Sequence, residues 1–355
     1  MEPLTVETAS LDLTTSLHNI HATDLISIAT AACISRPSLA ASPNIQLVEV
    51  PGGITNKLYR AYRLDAADQP CDDVLLRIFG AESMIDRTAE NARFQEISGY
   101  LGRPEYHGRF KNGRCEGWLT GYRAMTTDDV RDPLVLPRIA RALRQLHSLT
   151  PSSASRSPCL WDMSRKWIAE ARADRQWASE DDQLRMGLPP LDMLASGAIS
   201  GVIDDAESAV AGLDLPVVFA HNDMLPANIM VKEHDVALID FEYSNVNYRG
   251  SDFANFFNEW AGGSSEEDGG VCDWGRLPSE SQMRDFCAAY LGVEVDSEDV
   301  TGLLKEAERF VVVNHAFWGV WAVVQAREEG CEGFDYLRYA ASRFQRLAAL
   351  RSGES

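Results

Sequence analysis

The residue types able to do chemistry concentrate in two short segments. One is His221-Asn222-Asp223, with Asn228 five positions after the aspartate; the other is Ile239-Asp240-Phe241-Glu242. Each follows a short apolar run, Val217 to Ala220 and Val236 to Ile239, of the kind that forms a buried strand. Phosphoryl transfer asks a protein for a carboxylate to receive the acceptor's hydroxyl proton and for oxygen ligands to hold Mg²⁺ against the phosphates. Asp223 suits the first role, Asn228 and Asp240 the second. Asp and Asn are also ordinary turn residues, so a lone His-Asn-Asp reads as a loop. Two such clusters, each closing an apolar run, read as a catalytic set.

Upstream, Gly52-Gly53-Ile54-Thr55-Asn56-Lys57 lies between two strand signals. Glycines let backbone N–H groups approach phosphate oxygens, which makes Gly53, Thr55, Asn56 and Lys57 candidate nucleotide contacts; an ordinary hairpin turn is the competing reading. Arg77, inside the apolar run Val74 to Phe79, sits where protein kinases carry a phosphate-pairing lysine. It is a candidate catalytic and nucleotide contact, with Glu90 as its expected acidic partner and Glu96 as the second choice; an exposed edge cation is the alternative. Protein kinases also present an Asp, an Asn five residues on and a later Asp in this order.

These residues need a scaffold. Ile45 to Val50 and Leu58 to Leu64 read as a hairpin around the glycines. Val74 to Phe79 is a third strand, Ser83 to Leu101 a helix, and Cys115 to Tyr122 another strand. Beyond that, Leu136, Ile139, Leu143 and Leu146 recur at helical spacing up to His147. Trp161 to Trp177 reads as an exposed helix, and 187–216 as loop plus one helix. Ala261 to Gly270 reads as a surface loop, and 301–327 and 334–350 as the closing helices. The expected architecture is α+β: an N-terminal helical or irregular extension (1–44), including a short helix from Asp24, then a small β-rich lobe (45–121) and a larger, mainly helical lobe (122–355).

Composition narrows the partners. A formal net charge of −20 repels phosphate backbones and anionic headgroups, which argues against nucleic acid and membrane-surface partners. Seven scattered cysteines without a CxxC pair suggest free thiols in a reducing compartment rather than zinc or disulfides. The longest apolar stretch, Phe310 to Val324, is short for a bilayer and contains Asn314, His315 and Gly319. With no basic residue before Arg36 to suggest a signal or transit peptide, the expectation is a cytoplasmic protein without stable membrane insertion. A homodimer is left open.

Several segments together resemble the choline/ethanolamine kinases: PGGITNKLY (51–59), VLLRIFG (74–80), FAHNDMLPANIMV (219–231), IDFEYSNVNYRGSDFANFFNEWAG (239–262) and FWGVWAVVQA (317–326). The resemblance runs in order from about residue 45 to 350. It implies a bilobal protein-kinase-like fold, ATP and Mg²⁺ as cofactors, and a small amino alcohol as substrate. It also implies a place in the CDP-ethanolamine and CDP-choline routes to phospholipids. It assigns Asp223 the base role, with Asn228 and Asp240 as metal ligands. Glu242 is a further metal candidate or a brace beside Asp252, and His221 orients the loop. Trp318 and Trp321, three apart on one helix face, read on residues alone as core packing or as a wall for an ammonium group. The resemblance selects the wall, with Glu259 as countercharge and Tyr243 and Tyr339 completing it. GGITNKL, the Met224 to Ala227 insert and FDYLRYAASRF (334–344) resemble the ethanolamine branch more than the choline branch. Choline as the main substrate, an aminoglycoside-type phosphotransferase and an inactive kinase-like scaffold are the competing readings.

Overall fold

The structure, a computed structural model, describes residues 45–51, 56–80, 85–110, 112–173, 189–233, 235–264, 268–329 and 334–353. The 1–44 extension with its expected helix, and Gly53 and Thr55 of the glycine-bearing turn, lie outside the described residues. The chain forms two compact units: one runs up to Tyr122 and includes Pro151–Ser153, and the other holds Arg123–Thr150 and Ala154 onward.

In the first unit, five antiparallel strands follow the order β1-β2-β3-β5-β4. They are β1 (Gln46–Val50), β2 (Asn56–Leu64), β3 (Pro70–Phe79), β4 (Tyr106–Phe110) and β5 (Gly113–Gly117). Central β3 buries Val74, Leu76 and Ile78 completely, as period-2 alternation requires. Helix α1 (Arg87–Leu101) is capped by Asp86, whose side chain accepts from the Thr88 and Ala89 N–H groups. Its buried residues include Glu90, Asn91 and Arg93 beside Phe94 and Ile97. The single strand expected over 115–122 is instead the end of a β4–β5 hairpin closing at Gly117. Tyr-His-Gly-Arg-Phe in β4 carries no apolar alternation, which hid that strand.

The second unit has two small sheets: β6 (Arg123–Ala124), β8 (Ile229–Lys232) and β9 (Asp235–Leu238) in the order β6-β8-β9, and β7 (Val217–Ala220) with β10 (Asn245–Tyr248). Helices make up the rest: α2 (Leu136–His147), α3 (Leu160–Ala173), α4 (Pro189–Ser196), α5 (Ala198–Val210), α6 (Arg249–Asn258), α7 (Glu280–Leu291), α8 (Glu298–Glu329) and α9 (Tyr336–Ser352). Helix α2 buries Leu136, Ile139, Leu143 and Leu146, the stripe its periodicity indicates. The one helix expected in 187–216 is two, broken at Gly197 with φ 86°. Helix α3 is not an exposed helix: it buries Leu160, Trp161, Trp167 and Ile168. Among the described residues, no helix is long and apolar enough to cross a membrane.

Long α8 packs against α9, α6, α5, α3 and α7. It comes close to α9 at Gly319, between Trp318 and Trp321. A Cβ there would lie 2.3 Å from the Phe344 ring of α9, and Phe344 is fully buried with no room to retreat. Gly319→Ala is therefore expected to lower unfolding stability by about 1–3 kcal/mol, the usual cost of overpacking a filled core. A urea midpoint unchanged from wild type would contradict the close packing.

Candidate active site

The site begins where β7 ends. The backbone N–H groups of His221 and Asn222 both donate to Asp252 on α6, to Oδ2 at 2.6 Å and to Oδ1 at 2.7 Å. Asp252 is fully buried. His147 from α2 adds a third contact, Nε2 to Asp252 Oδ2 at 2.9 Å, and turns Nδ1 to the Tyr290 hydroxyl at 2.9 Å. Asn222 takes a left-handed backbone, φ 68°, which costs a non-glycine residue roughly 1–2 kcal/mol. Its side chain offsets that: Nδ2 donates to the Tyr243 carbonyl and Oδ1 accepts from Asn247 Nδ2, each at 2.8 Å. Asp240 is also left-handed, φ 62°.

His221 links the two polar segments. Nε2 lies 2.9 Å from the Ile239 carbonyl, and the Asp223 N–H points at Nδ1 at 3.3 Å. Those partners fix a neutral imidazole with Nε2–H donating, and burial pushes its pKa down, which suits the same form. The ring holds the loop in place and carries no spare lone pair for a substrate.

Asp223 is buried, and Asn228 Nδ2 donates both to its Oδ2 at 2.8 Å and to its carbonyl at 3.0 Å. Its carboxyl is pushed well above the usual range, first by burial and then by the negative charges of Glu259, Asp240 and Glu242. The loops thus bring four carboxylates and one carboxamide together. Asn228 spends its nitrogen on Asp223, so its oxygen is the atom left for ligation. Among the described residues no group of three or more His, Cys, Asp or Glu side chains is arranged to hold a metal unaided. Two carboxylates and an amide oxygen suit Mg²⁺, which completes its shell with phosphate and water, and the crowding of negative charge around Asp223 calls for cations.

Beside this crowd stands an aromatic corner. Trp318 and Trp321 meet edge to face with centroids 5.3 Å apart; Tyr243 meets Trp318 at 5.6 Å, and Tyr339 meets Trp321 at 6.4 Å. Trp321 Nε1 donates to the Tyr243 hydroxyl at 2.8 Å. All five expected substrate residues are buried, Glu259 included. Glu259 pairs through Oε1 with Arg343 of α9, while its buried Oε2 has no partner among the described residues. Sequence reasoning missed Arg343, four residues beyond Tyr339 and so on the same helix face. It also missed Trp167, which packs edge-on to Tyr243 at 5.9 Å.

In the first unit, Arg77 is buried on central β3 rather than exposed at an edge, and its Nε donates to Glu116 of β5 at 2.8 Å. Glu116 also accepts from Arg114 Nε at 2.7 Å, and Arg114 in turn pairs with Glu90. The expected Arg77–Glu90 pair is therefore corrected: Glu116 is the acid on Arg77, and Arg114 and Arg87 hold Glu90. The second choice, Glu96, accepts instead from Ser152 and Ser153. Arg114-Cys115-Glu116, three consecutive fully buried strand residues with two charges, was the overlooked signal. Asn56 is buried and lies 3.5 Å from Arg87 Nη2 through its Oδ1, and Lys57 follows it in β2 opposite Ile78.

A family model described as Choline/ethanolamine kinase matches residues 47–348. Probable choline kinase 2 of Arabidopsis thaliana is 29% identical over 311 residues, covering 86% of this chain and 85% of its own. Probable ethanolamine kinase A of Dictyostelium discoideum is 30% identical over 317 residues, covering 87% and 86%. Among solved structures, the Plasmodium vivax ethanolamine kinase superposes with a TM-score of 0.76 at 23% identity, covering 94% of this chain and 91% of that one.

The Asp252 clamp can be tested apart from chemistry. Asp252→Asn replaces one acceptor oxygen with a donor facing donors, and is expected to destabilise the fold by about 1–3 kcal/mol, the cost of one orphaned buried group. Equal denaturation midpoints for variant and wild type would show that the clamp bears no load.

Proposed function

The chain belongs to the choline/ethanolamine kinase family, and from that membership we propose that it transfers the γ-phosphoryl group of ATP to the hydroxyl of ethanolamine in preference to choline. Ethanolamine and choline phosphorylation by ATP is the family's chemistry, and it accounts for the kinase-like order of Asp223, Asn228 and Asp240. The observation that carries the preference is the buried Glu259 Oε2 beside the aromatic corner, which has no partner among the described residues. A buried carboxylate oxygen without a donor is costly, and a primary ammonium brings N–H groups to it. A trimethylammonium has none and is served by aromatic faces alone.

In this reading Asp223 accepts the proton of the amino alcohol's hydroxyl as it attacks phosphorus. Asn228 and Asp240, with Glu242, are the residues that would hold magnesium, whose charge would offset the nearby carboxylates and neutralise the phosphates. His221 and Asp252 keep Asp223 in position. Asn56, Lys57 and Arg77 are the proposed nucleotide contacts in the described part of the first unit, with Glu116 holding Arg77; Glu90 supports that network through Arg114. An aminoglycoside acceptor would leave the paired Trp318 and Trp321 without a task, and the chain keeps every side chain whose loss would mark an inactive scaffold. The phosphorylated product serves phospholipid headgroup synthesis. A cytoplasmic setting is part of the proposal, supported by the free thiols of Cys71, Cys272 and Cys287.

With saturating ATP, kcat/KM for ethanolamine is expected to exceed that for choline by at least about tenfold, the value of one unreplaced charged hydrogen bond. The reverse ranking would refute the Glu259 argument. Asp223→Ala is expected to cut kcat by about 10²-fold or more, the scale of general-base catalysis, with ATP affinity retained. Turnover near the wild-type rate would remove Asp223 from the base role.

A further inference from the structure

Arg343 is fully buried, and no element of the catalytic set contains it. Its Nη2 donates both to Glu259 Oε1 and to the Tyr339 hydroxyl, the latter at 2.6 Å. Its Nη1 lies 3.4 Å from His315 Nδ1 on α8. The guanidinium also lies over the Tyr339 ring at 4.9 Å and the Trp274 ring at 5.6 Å. One cation therefore touches both the acid and one aromatic wall of the amine pocket, while the second Glu259 oxygen has no partner among the described residues.

We infer that Arg343 is the positioning residue of the amine site: by binding Oε1 it turns the Glu259 carboxylate so that Oε2, not Oε1, meets the substrate ammonium. The inference rests on the ethanolamine/choline reading of the pocket. Burial raises the Glu259 carboxyl above its ordinary range, and Arg343 is the cation that limits the rise. The other groups in the neighbourhood cannot take that role. Asp223 adds negative charge, and Cys272 and Tyr339 are both pushed up and neutral. His315 is driven well below its ordinary range by burial and by the Arg343 and Arg346 charges, so it is neutral too. Asp268 raises Cys272 and so favours its neutral form. Because a single nitrogen bridges Glu259 and Tyr339 while the fork's other arm reaches His315, lysine preserves the charge but not the geometry.

The test is steady-state kinetics of the full chain with ethanolamine at saturating ATP and Mg²⁺, from about pH 6 to 8.5, for wild type, Arg343→Gln and Arg343→Lys. Without the guanidinium, Glu259 is protonated over more of that range. Arg343→Gln is thus expected to raise the ethanolamine KM about 10–100-fold near neutrality and to make it fall as pH rises, because alkali restores the carboxylate. Changes in kcat and in the KM for ATP are expected to stay within about threefold, because the effect is confined to amine binding. Arg343→Lys is expected to give a smaller rise with the wild-type pH profile. Arg343→Gln with the wild-type KM and pH profile, or with kcat lost and KM unchanged, overturns the inference. If Arg343→Gln fails to fold, the charge-balanced double variant Glu259→Gln/Arg343→Gln decides: a raised, pH-independent KM supports the inference and a wild-type KM overturns it. Wild-type protein that phosphorylates neither ethanolamine nor choline would instead refute the functional reading beneath it.

Discussion

One buried carboxylate fixes the geometry on which the catalytic loop depends. Asp252 accepts the consecutive N–H groups of His221 and Asn222 and also His147, so its two oxygens bind α6, the end of β7 and α2 at a single point. Two adjacent amides can point at one carboxylate only if the chain turns sharply between them, and the turn is the left-handed residue Asn222. Asparagine tolerates that conformation better than most residues, and its side chain is consumed in holding Tyr243 and Asn247. The strain is thus tied to the placement of the next residue, Asp223. Tyr243 in turn carries the hydrogen bond from Trp321. Asp223 and the aromatic corner are therefore parts of one bonded network rather than two clusters that happen to adjoin.

Charge is the second constraint. Burial, and after it the charges of Glu259, Asp240 and Glu242, raise the Asp223 carboxyl, and Arg343 pairs with Glu259 within that group. Ordinary core design avoids such crowding because each buried charge costs several kcal/mol unless paired. Its persistence here is intelligible if cations arrive with the reaction: an ammonium on one side, a metal with its phosphates on the other. The overall charge of −20 has a local counterpart in this crowd, although most of that charge lies elsewhere and serves solubility.

Much of this was legible in the residues. The apolar runs read as strands are β7 and β9, each followed by its polar cluster, and the structure brings Asp240, Glu242 and Glu259 within electrostatic reach of Asp223, to which Asn228 donates. The three-residue spacing of Trp318 and Trp321 correctly put them on one face. What stayed hidden was pairing between distant elements. Nothing local distinguishes Glu90 from Glu116 as the acid for Arg77, because that depends on β5 lying beside β3. Helix α7 was missed despite a capping box at Ser279 and Gln282, since its apolar stripe is thin. Strands β8 and β10, four residues each, are too short to show a period.

The aromatic corner alone would not discriminate among amines. Edge-to-face contacts at 85° and 73° make Tyr243, Trp318 and Trp321 into perpendicular walls, and ring faces attract any desolvated cation, methylated or not. Selection must come from a group that one cation satisfies and the other cannot. On the proposed reading Glu259 Oε2 is that group, buried with no partner among the described residues while Arg343 holds Oε1. Filling that vacancy with an N–H donor gains a charge-assisted hydrogen bond; pressing a methyl group against it leaves a buried acceptor unpaired. Discrimination by an unsatisfied polar atom is stronger than discrimination by fit, because an apolar wall distinguishes ligands by only about 1–3 kcal/mol per methylene.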